Sequence, residues 1–293
     1  MDRKELIQFI TDYVESAPGN RVSEEDAIYP ELAGMKIFES PLVGISSAGD
    51  ELYFREFKKP GIIHPAHRTP EEWLSGAGSV ISFFLPFTAE VCASNLERTD
   101  IPYDPALHNQ RSSAQWLHAR IEGQKLIRGL CDAICAYLQA RGLRGIAPAF
   151  SPEFTMPEAY VSNWSERHVA YASGLGTFGL SRGLITEKGM AGRFGSVVTD
   201  AVLEPTPRPY DDPFAYCIRC GACQRRCPAG AIDLCRGVAR GKEQTICGPY
   251  VNGSFLPPHG PNGVVRYGCG KCQAGVPCQS RNPSGKAGGI SGL

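Results

Sequence analysis

Cysteine is the residue type whose spacing in this chain points most directly to chemistry. Cys217, Cys220, Cys223 and Cys227 stand in "CIRCGACQRRCP" as C-x2-C-x2-C-x3-C followed by Pro228. In that run one tight loop offers three thiolates to three corners of an iron–sulfur cubane, and the fourth cysteine is handed to a second cluster. A partner set is therefore required, and Cys247, Cys269, Cys272 and Cys278 supply it. The spacing predicts two [4Fe–4S] clusters with crossed ligands. Cys217, Cys220, Cys223 and Cys278 belong to the first, and Cys227, Cys247, Cys269 and Cys272 to the second. Structural zinc is the competing reading, because C-x2-C pairs also bind zinc. Zinc gives no use to a third cysteine at x2 or to the trailing Cys-Pro. The second group is the less regular: 21 residues separate Cys247 from Cys269, and Cys272 to Cys278 is x5 where x3 is usual. Cys235 is left over.

The elements that must hold these ligands come mostly before them. "GSVISFFLPF" (Gly78–Phe87) is a short apolar run, rich in β-branched and aromatic residues, and reads as a buried strand. A long helix is predicted over about Ser112–Arg141, with Leu117, Ile121, Ile127, Leu130, Ile134 and Leu138 as its apolar stripe and Gly142 as its stop. Cys131 and Cys135 fall on that stripe and, with Cys92, are expected to be packing residues. "GIAPAF" suggests another strand, and "WSERHVAYASGL" a helix capped by Ser162 or Asn163. The glycines of "GLGTFGLSRGLITEKGMAGRFGSVVTD" break the chain into a hairpin or βα unit whose backbone can approach a ligand closely. The first residues, "MDRKELIQFITDYVESAPGN", read as an amphipathic helix. "EPTPRPYDDP" (Glu204–Pro213) carries four prolines and marks a boundary. This gives an α+β chain of three parts: 1–205, an α/β region; 206–283, a ferredoxin-like two-cluster region; and 284–293, a flexible tail. "KEQTICGPY" reads as a loop that brings Cys247 to its cluster.

Composition bounds the partners. Thirty Lys and Arg balance thirty Asp and Glu, so no overall basic field draws in nucleic acid. No run of apolar residues is long enough to span a membrane, and the start has no secretory h-region. Nine of the twelve cysteines lie after residue 216, a usage that fits metal ligation in the cytoplasm better than disulfides.

The order "SNWSERHVAYASGLGTFGLSRGLIT", "GSVVTD", "CIRCGACQRRCPAGAI", "CGPY" and "RYGCGKCQ…C" resembles the epoxyqueuosine reductases, which use cobalamin and iron–sulfur clusters and are related to the reductive dehalogenases. Glu166-Arg167 followed by Ala170, Gly174-Leu175-Gly176 and Gly179 match that family's E-R-x-x-A…G-L-G-x-x-G stretch, and the likeness runs over roughly residues 75–283. It implies a nitroreductase-like α/β core that holds cobalamin, followed by the ferredoxin-like region. Electrons would pass from an external low-potential donor, of ferredoxin or flavodoxin type, through both clusters to cobalt. Arg167 would contact a corrinoid carboxamide or else pair with Glu166. Gly174, Gly176 and Gly179 would permit close approach of the corrin. His168 is not expected to ligate cobalt, and His64, His67, His108 and His118 are expected to be surface or core residues. Two departures stand out. Where those reductases carry the aspartate taken as proton donor, six residues before the Glu-Arg pair, this chain has Tyr160, the residue type associated with the dehalogenases. The chain also ends soon after the second cysteine group, where those reductases continue into a helical segment that helps hold tRNA. The resemblance with these departures implies a cytoplasmic reductase of a small-molecule substrate, with nucleic acid disfavoured and no membrane partner; the alternatives are a ferredoxin-type electron-transfer or corrinoid-activating protein without its own substrate, and a shortened epoxyqueuosine reductase acting on tRNA.

Overall fold

A computed structural model of the chain describes residues 2–96, 112–253 and 263–286. Its elements run α1 (Arg3–Ser16), β1 (Leu42–Ser47), α2 (Pro70–Trp73), β2 (Ser79–Pro86), α3 (Ala89–Ser94), α4 (Ala114–Gln139), β3 (Gly145–Ile146) and α5 (Glu166–Ala172). They continue with β4 (Gly176–Phe178), β5 (Leu184–Thr186), β6 (Gly192–Thr199), α6 (Ala222–Arg225) and α7 (Gln244–Gly253). The main sheet has the order β1-β2-β6-β3 and is antiparallel throughout.

The strand predicted at Gly78–Phe87 is β2, buried along its whole length because both faces are covered. Side-chain alternation sorts it between two layers. Ile81, Phe83 and Leu85 join Val43, Ile45 and Val197 against α1 and α4, where Leu6, Ile10, Ile127, Leu130 and Ile134 are buried. Val80 and Phe84 point the other way, toward α5. The long helix matches its expected span. Ser113 caps α4 by accepting from the Trp116 amide, and of the predicted stripe only Ile121 is not fully buried. Cys92 and Cys131 lie in this core and Cys135 packs against it.

Several expectations are corrected. "GIAPAF" forms only the two-residue β3 before Pro148 turns the chain into a short 3₁₀ turn. The cap position of α5 is Ser165, whose hydroxyl meets His168 Nδ1 at 2.8 Å instead of a backbone amide. Ser162 Oγ is occupied by the Trp164 carbonyl, and Asn163 Nδ2 by the Glu153 carbonyl. Cys247 sits on a helix, α7, and not on a loop. The Pro-rich segment is tied down, since Thr206 exchanges hydrogen bonds with Ile45 at 2.8 and 2.9 Å and so extends the edge at β1. His108 and residues 287–293 of the expected tail lie outside the described residues, among which no helix is long and apolar enough to cross a membrane.

Beyond the sheet, β4 and β5 form a hairpin. Leu180, Ile185 and Met190 from this hairpin and its exit share a second apolar cluster with Tyr210, Tyr216, Cys223, Ile232 and Val276. The cysteine-rich region is thus built against the upstream one.

Candidate cluster sites and the adjoining arginine recess

The cysteine loop hangs on β4, because the Tyr216 amide donates to Thr177 Oγ1 at 2.9 Å. Gly221 then turns the chain into α6, which buries Cys223 and leaves Cys220 exposed. Cys278 reaches the same place from the other direction. The Met190 amide donates to its carbonyl at 2.9 Å, and the Ala191 amide to that of Gln279 at 3.0 Å. Cys217, Cys220, Cys223 and Cys278 all line one pocket, walled elsewhere by Leu180 and Met190. Burial, and after it the charges of Cys223, Cys217 and Cys220, push the Cys278 thiol up to about 12. Thiolates that burial and mutual repulsion disfavour need a compensating cation in their midst. The first predicted ligand set is brought together, and its donors fit an iron–sulfur cluster.

The second set converges in the same way. Burial raises the Cys269 thiol to about 12, and Cys272, Cys227 and Cys247 add to that. Cys272 is raised by burial and then by Cys227 and Cys247, with Lys242 acting against them. Cys269 is placed by its carbonyl, which accepts from Asn95 Nδ2 at 2.9 Å and Ser112 Oγ at 2.7 Å. Gly270 makes that approach possible. Its φ is +71°, and a Cβ there would stand 2.0 Å from Trp116 Cε2. Cys272 also raises Cys223, so the two sets adjoin. Among the described residues no three His, Cys, Asp or Glu side chains crowd together as ligands of one ion do. Thiolates of a cubane bind separate irons and stand further apart. Cys235 is exposed on a 3₁₀ turn.

Arg167, on α5, faces the second set. Burial lowers its pKa, and Cys272 and Cys247 act in the opposite direction. The residue as a whole remains exposed to solvent. Arg167 does not pair with Glu166; its Nη1 donates to the Arg182 carbonyl at 2.7 Å. Both Glu166 oxygens are buried without a well-formed hydrogen bond, and burial lifts the carboxyl to about 8 against a weak opposing effect of the Ser196 hydroxyl. His168 lies between the rings of Phe57 and Phe178, and burial holds it neutral, with its pKa near 3.

Tyr160 is 41% exposed, more open than a buried proton donor would be. Its φ is +67°, and its ring rests on Gly248 of α7, next to Cys247. The three glycines serve the chain's own packing on the side a Cβ would occupy. A Cβ on Gly174 would meet the Pro207 carbonyl at 2.7 Å, on Gly176 the Ile185 carbonyl at 1.9 Å, and on Gly179 Ile185 Cδ1 at 3.2 Å. That side offers no room to a corrin.

Sequence reasoning missed Arg193 on β6, Arg120 on α4 and Arg182 in the hairpin turn. The one available signal was Arg193, a charge inside "GRFGSVV", a strand otherwise built of apolar and small residues.

Taken together, the residues describe an iron–sulfur protein of mixed sheet and helix. A 4Fe-4S binding domain model matches residues 214–233. The fold is shared with the catabolic reductive dehalogenase NpRdhA, at 15% identity, a TM-score of 0.51, and coverage of 95% of this chain and 36% of that one. Epoxyqueuosine reductase from Streptococcus thermophilus aligns at 16% identity and a TM-score of 0.49 over 97% of this chain and 68% of its own. An epoxyqueuosine reductase structure with an epoxyqueuosine-modified tRNA-Tyr stem loop aligns at 17% identity and a TM-score of 0.48, covering 94% of this chain. The chain spans 66% of the length of that reductase. Comparison with curated proteins finds no match.

Proposed function

We propose that the chain is a reductase that passes electrons through two [4Fe–4S] clusters to a cobalamin and reduces a small-molecule substrate other than tRNA. The observation that carries this reading is the crossed convergence of the thiols, Cys278 with the first three cysteines and Cys227 with the second group. Its polarity follows from exposure. Cys220 is open at the surface, so an external low-potential donor of ferredoxin or flavodoxin type meets the first cluster. The second cluster faces inward, toward Arg167. Buried polar atoms without protein partners stand on two neighbouring elements, the Arg193 Nε on β6 and both Glu166 oxygens on α5. Such atoms suit a cofactor rich in amide side chains, and Arg167 and Arg193 are the residues that would hold it.

When bound there, the cobalamin supplies the two-electron chemistry that cleaves a carbon–oxygen or carbon–halogen bond. The chain's own part is to deliver the electrons, exclude water and give one proton. We assign the proton to Tyr160 Oη, whose strained backbone is the kind of feature that collects at active sites. Equal numbers of acidic and basic residues leave no overall basic field, which supports a substrate other than nucleic acid, and cysteines used as ligands and packing residues suit a cytoplasmic setting.

The test is to purify the protein without oxygen, count iron, sulfide and cobalt, and titrate it with cob(II)alamin by electron paramagnetic resonance. Two clusters and a saturable change in the cobalt signal are expected. Clusters without any cobalamin binding would leave an electron carrier and sink the reductase reading.

A further inference from the structure

Resting on the reading of two clusters fed from outside, we propose that the surface around Cys220 is the docking site of an acidic electron-donor protein, seated on Ile218 and held by a rim of Arg219, Arg225, Arg281 and Lys286.

The neutral total of the chain conceals a division of charge. From residue 206 onward eleven Lys and Arg stand against four Asp and Glu, whereas residues 1–205 carry nineteen against twenty-six. Part of the basic excess is taken up within the fold. Arg266 is buried against Glu122, Arg226 is turned to the carbonyls of Lys271, Asn95 and Leu96, and Arg236 pairs with Glu243. Arg219, Arg225, Arg281 and Lys286 stay exposed. Among the described residues, Arg219, Arg281 and Lys286 have no carboxylate partner.

These cations gather at the one exposed ligand of the first set. Ile218, Arg219, Cys220, Pro277 and Pro283 line the same pocket as Cys217, Cys223 and Cys278. Arg225 Nη1 donates to the Cys220 carbonyl at 3.0 Å, which keeps that guanidinium beside the exposed cysteine. From the other side, Arg281 stands two residues before Pro283, and Asn282 Nδ2 donates to the Lys286 carbonyl at 3.0 Å, folding Lys286 back onto the same turn. The centre of the surface is uncharged. Ile218 is 47% exposed beside Cys220, and Pro277, next to Cys278, is exposed as well.

An apolar centre with a charged rim is the anatomy of a protein–protein contact. Rim charges of one sign steer in a partner of the opposite sign, and the apolar centre then sets how closely it sits. A brief electron-transfer encounter needs only a small surface of this kind. Nucleic acid is the poorer fit, because no exposed aromatic ring stands here to stack a base. The exposed aromatic side chains Tyr29, Phe54 and Tyr160 belong to other segments.

The surface is tested on the full chain with its clusters reconstituted and neither corrinoid nor substrate present. The probes, in calorimetric titrations, are an acidic plant-type ferredoxin, an acidic flavodoxin, the basic protein cytochrome c and an RNA stem loop. At least one acidic donor should bind saturably, with an affinity that falls about tenfold between about 50 and 200 mM salt, and cytochrome c should not bind. Arg219→Glu with Arg281→Glu should weaken the donor at least tenfold, and so should Arg281→Glu with Lys286→Glu. Arg219→Lys with Arg281→Lys keeps the charges and should bind as the parent does. Arg141→Glu, exposed beyond the far end of α4 from Ser112, should also leave binding unchanged. Iron content and reduction by dithionite, which needs no docking, report whether a variant keeps its clusters. Absence of donor binding by the parent, indifference to salt, or unchanged affinity in the charge reversals overturns the proposal. Displacement of the donor by the RNA stem loop gives the surface to nucleic acid and overturns it too. Should reversal at Arg219, inside the cysteine loop, cost iron, the Arg281 and Lys286 pair decides in its place. Because donor binding is read without cobalamin, a chain that binds the donor but no cobalamin loses the reductase reading and keeps the docking surface.

Discussion

The ring of Tyr160 lies directly on Gly248: a Cβ built on that glycine would stand 2.0 Å from Tyr160 Cζ and 2.2 Å from its hydroxyl oxygen. The contact couples the loop before α5 to the helix that carries Cys247. Tyr160 holds a φ of +67°, a conformation that costs a bulky residue roughly 1–3 kcal/mol, and α7 is what it leans on.

Gly248→Ala should therefore displace the tyrosine. The expected outcome is a loss of turnover as large as that in Tyr160→Phe, about 10²–10⁴-fold if the hydroxyl gives the proton in the rate-limiting step. Iron content of the purified variants is the control for damage at Cys247. Unchanged turnover in Tyr160→Phe removes Tyr160 from the mechanism.

The cysteine sets make a sharper forecast. Cys278→Ser should remove the same cluster as Cys217→Ser, although 60 residues separate them, and Cys227→Ser should remove the other. Each variant should fall from about eight irons per chain to about four. Cys235→Ser should keep all of its iron, since that thiol is exposed and outside both sets. Loss of different signals in Cys278→Ser and Cys217→Ser, read by paramagnetic resonance, would break the crossed assignment.

How far these sites could be read from the sequence depended on how local their causes are. The C-x2-C-x2-C-x3-C loop is set by one turn of chain, and β2 and α4 by periods that their burial then obeys. The helix at Cys247 was hidden because "KEQTICGPY" has a proline and no apolar period, and its partners come from elsewhere. Gly174, Gly176 and Gly179 carried a pattern whose cause lies at Pro207 and Ile185, contacts that no spacing announces. The arginines were the least legible part, because Arg120, Arg167 and Arg193 stand on three separate elements, α4, α5 and β6, that no spacing in the sequence links.

Stability should depend on pH with opposite signs on its two limbs. Burial depresses His67 from 6.5 to about 4 and His168 from 6.5 to about 3. The folded state binds fewer protons there than the unfolded chain, so stability present above about pH 6.5 is lost as pH falls toward 4 and 3. Glu166 works the other way. Its carboxyl is raised from 4.5 to about 8, so stability present below 4.5 is lost as pH rises through 8. Anaerobic urea unfolding from about pH 5 to about pH 9 should show both limbs, and Glu166→Gln should flatten the alkaline one. An alkaline limb that survives the substitution would place its cause in another group.

A buried ion network fixes the approach to Cys269, and removing one member should loosen the second cluster before the first. Arg266, 1% exposed, donates from Nη2 to Glu122 Oε1 and to the Asp26 carbonyl, both at 2.8 Å. His118 sits between them, its Nε2 accepting from the Ile28 amide at 3.3 Å and its Nδ1 lying 2.9 Å from Glu122 Oε2 and 3.2 Å from Arg266 Nε. The chain from Arg266 to Cys269 is thus pinned at both ends, by Glu122 on α4 and by Ser112 just before it. Glu122→Gln leaves the buried Arg266 charge with only the more distant Asp26 carboxylate, at 3.7 Å, and should cost up to the about 3–5 kcal/mol seen when one partner of a buried pair is lost. The second cluster should then bleach faster in air than the first, because Cys269 and Cys272 follow Arg266 by three and six residues, whereas Cys278 of the first set follows it by twelve. Replacing both partners together, Glu122→Met with Arg266→Leu, removes the uncompensated charge and should restore most of the stability. Equal bleaching of the two clusters in Glu122→Gln, or a double variant no more stable than the single, would mean that the network does not position Cys269.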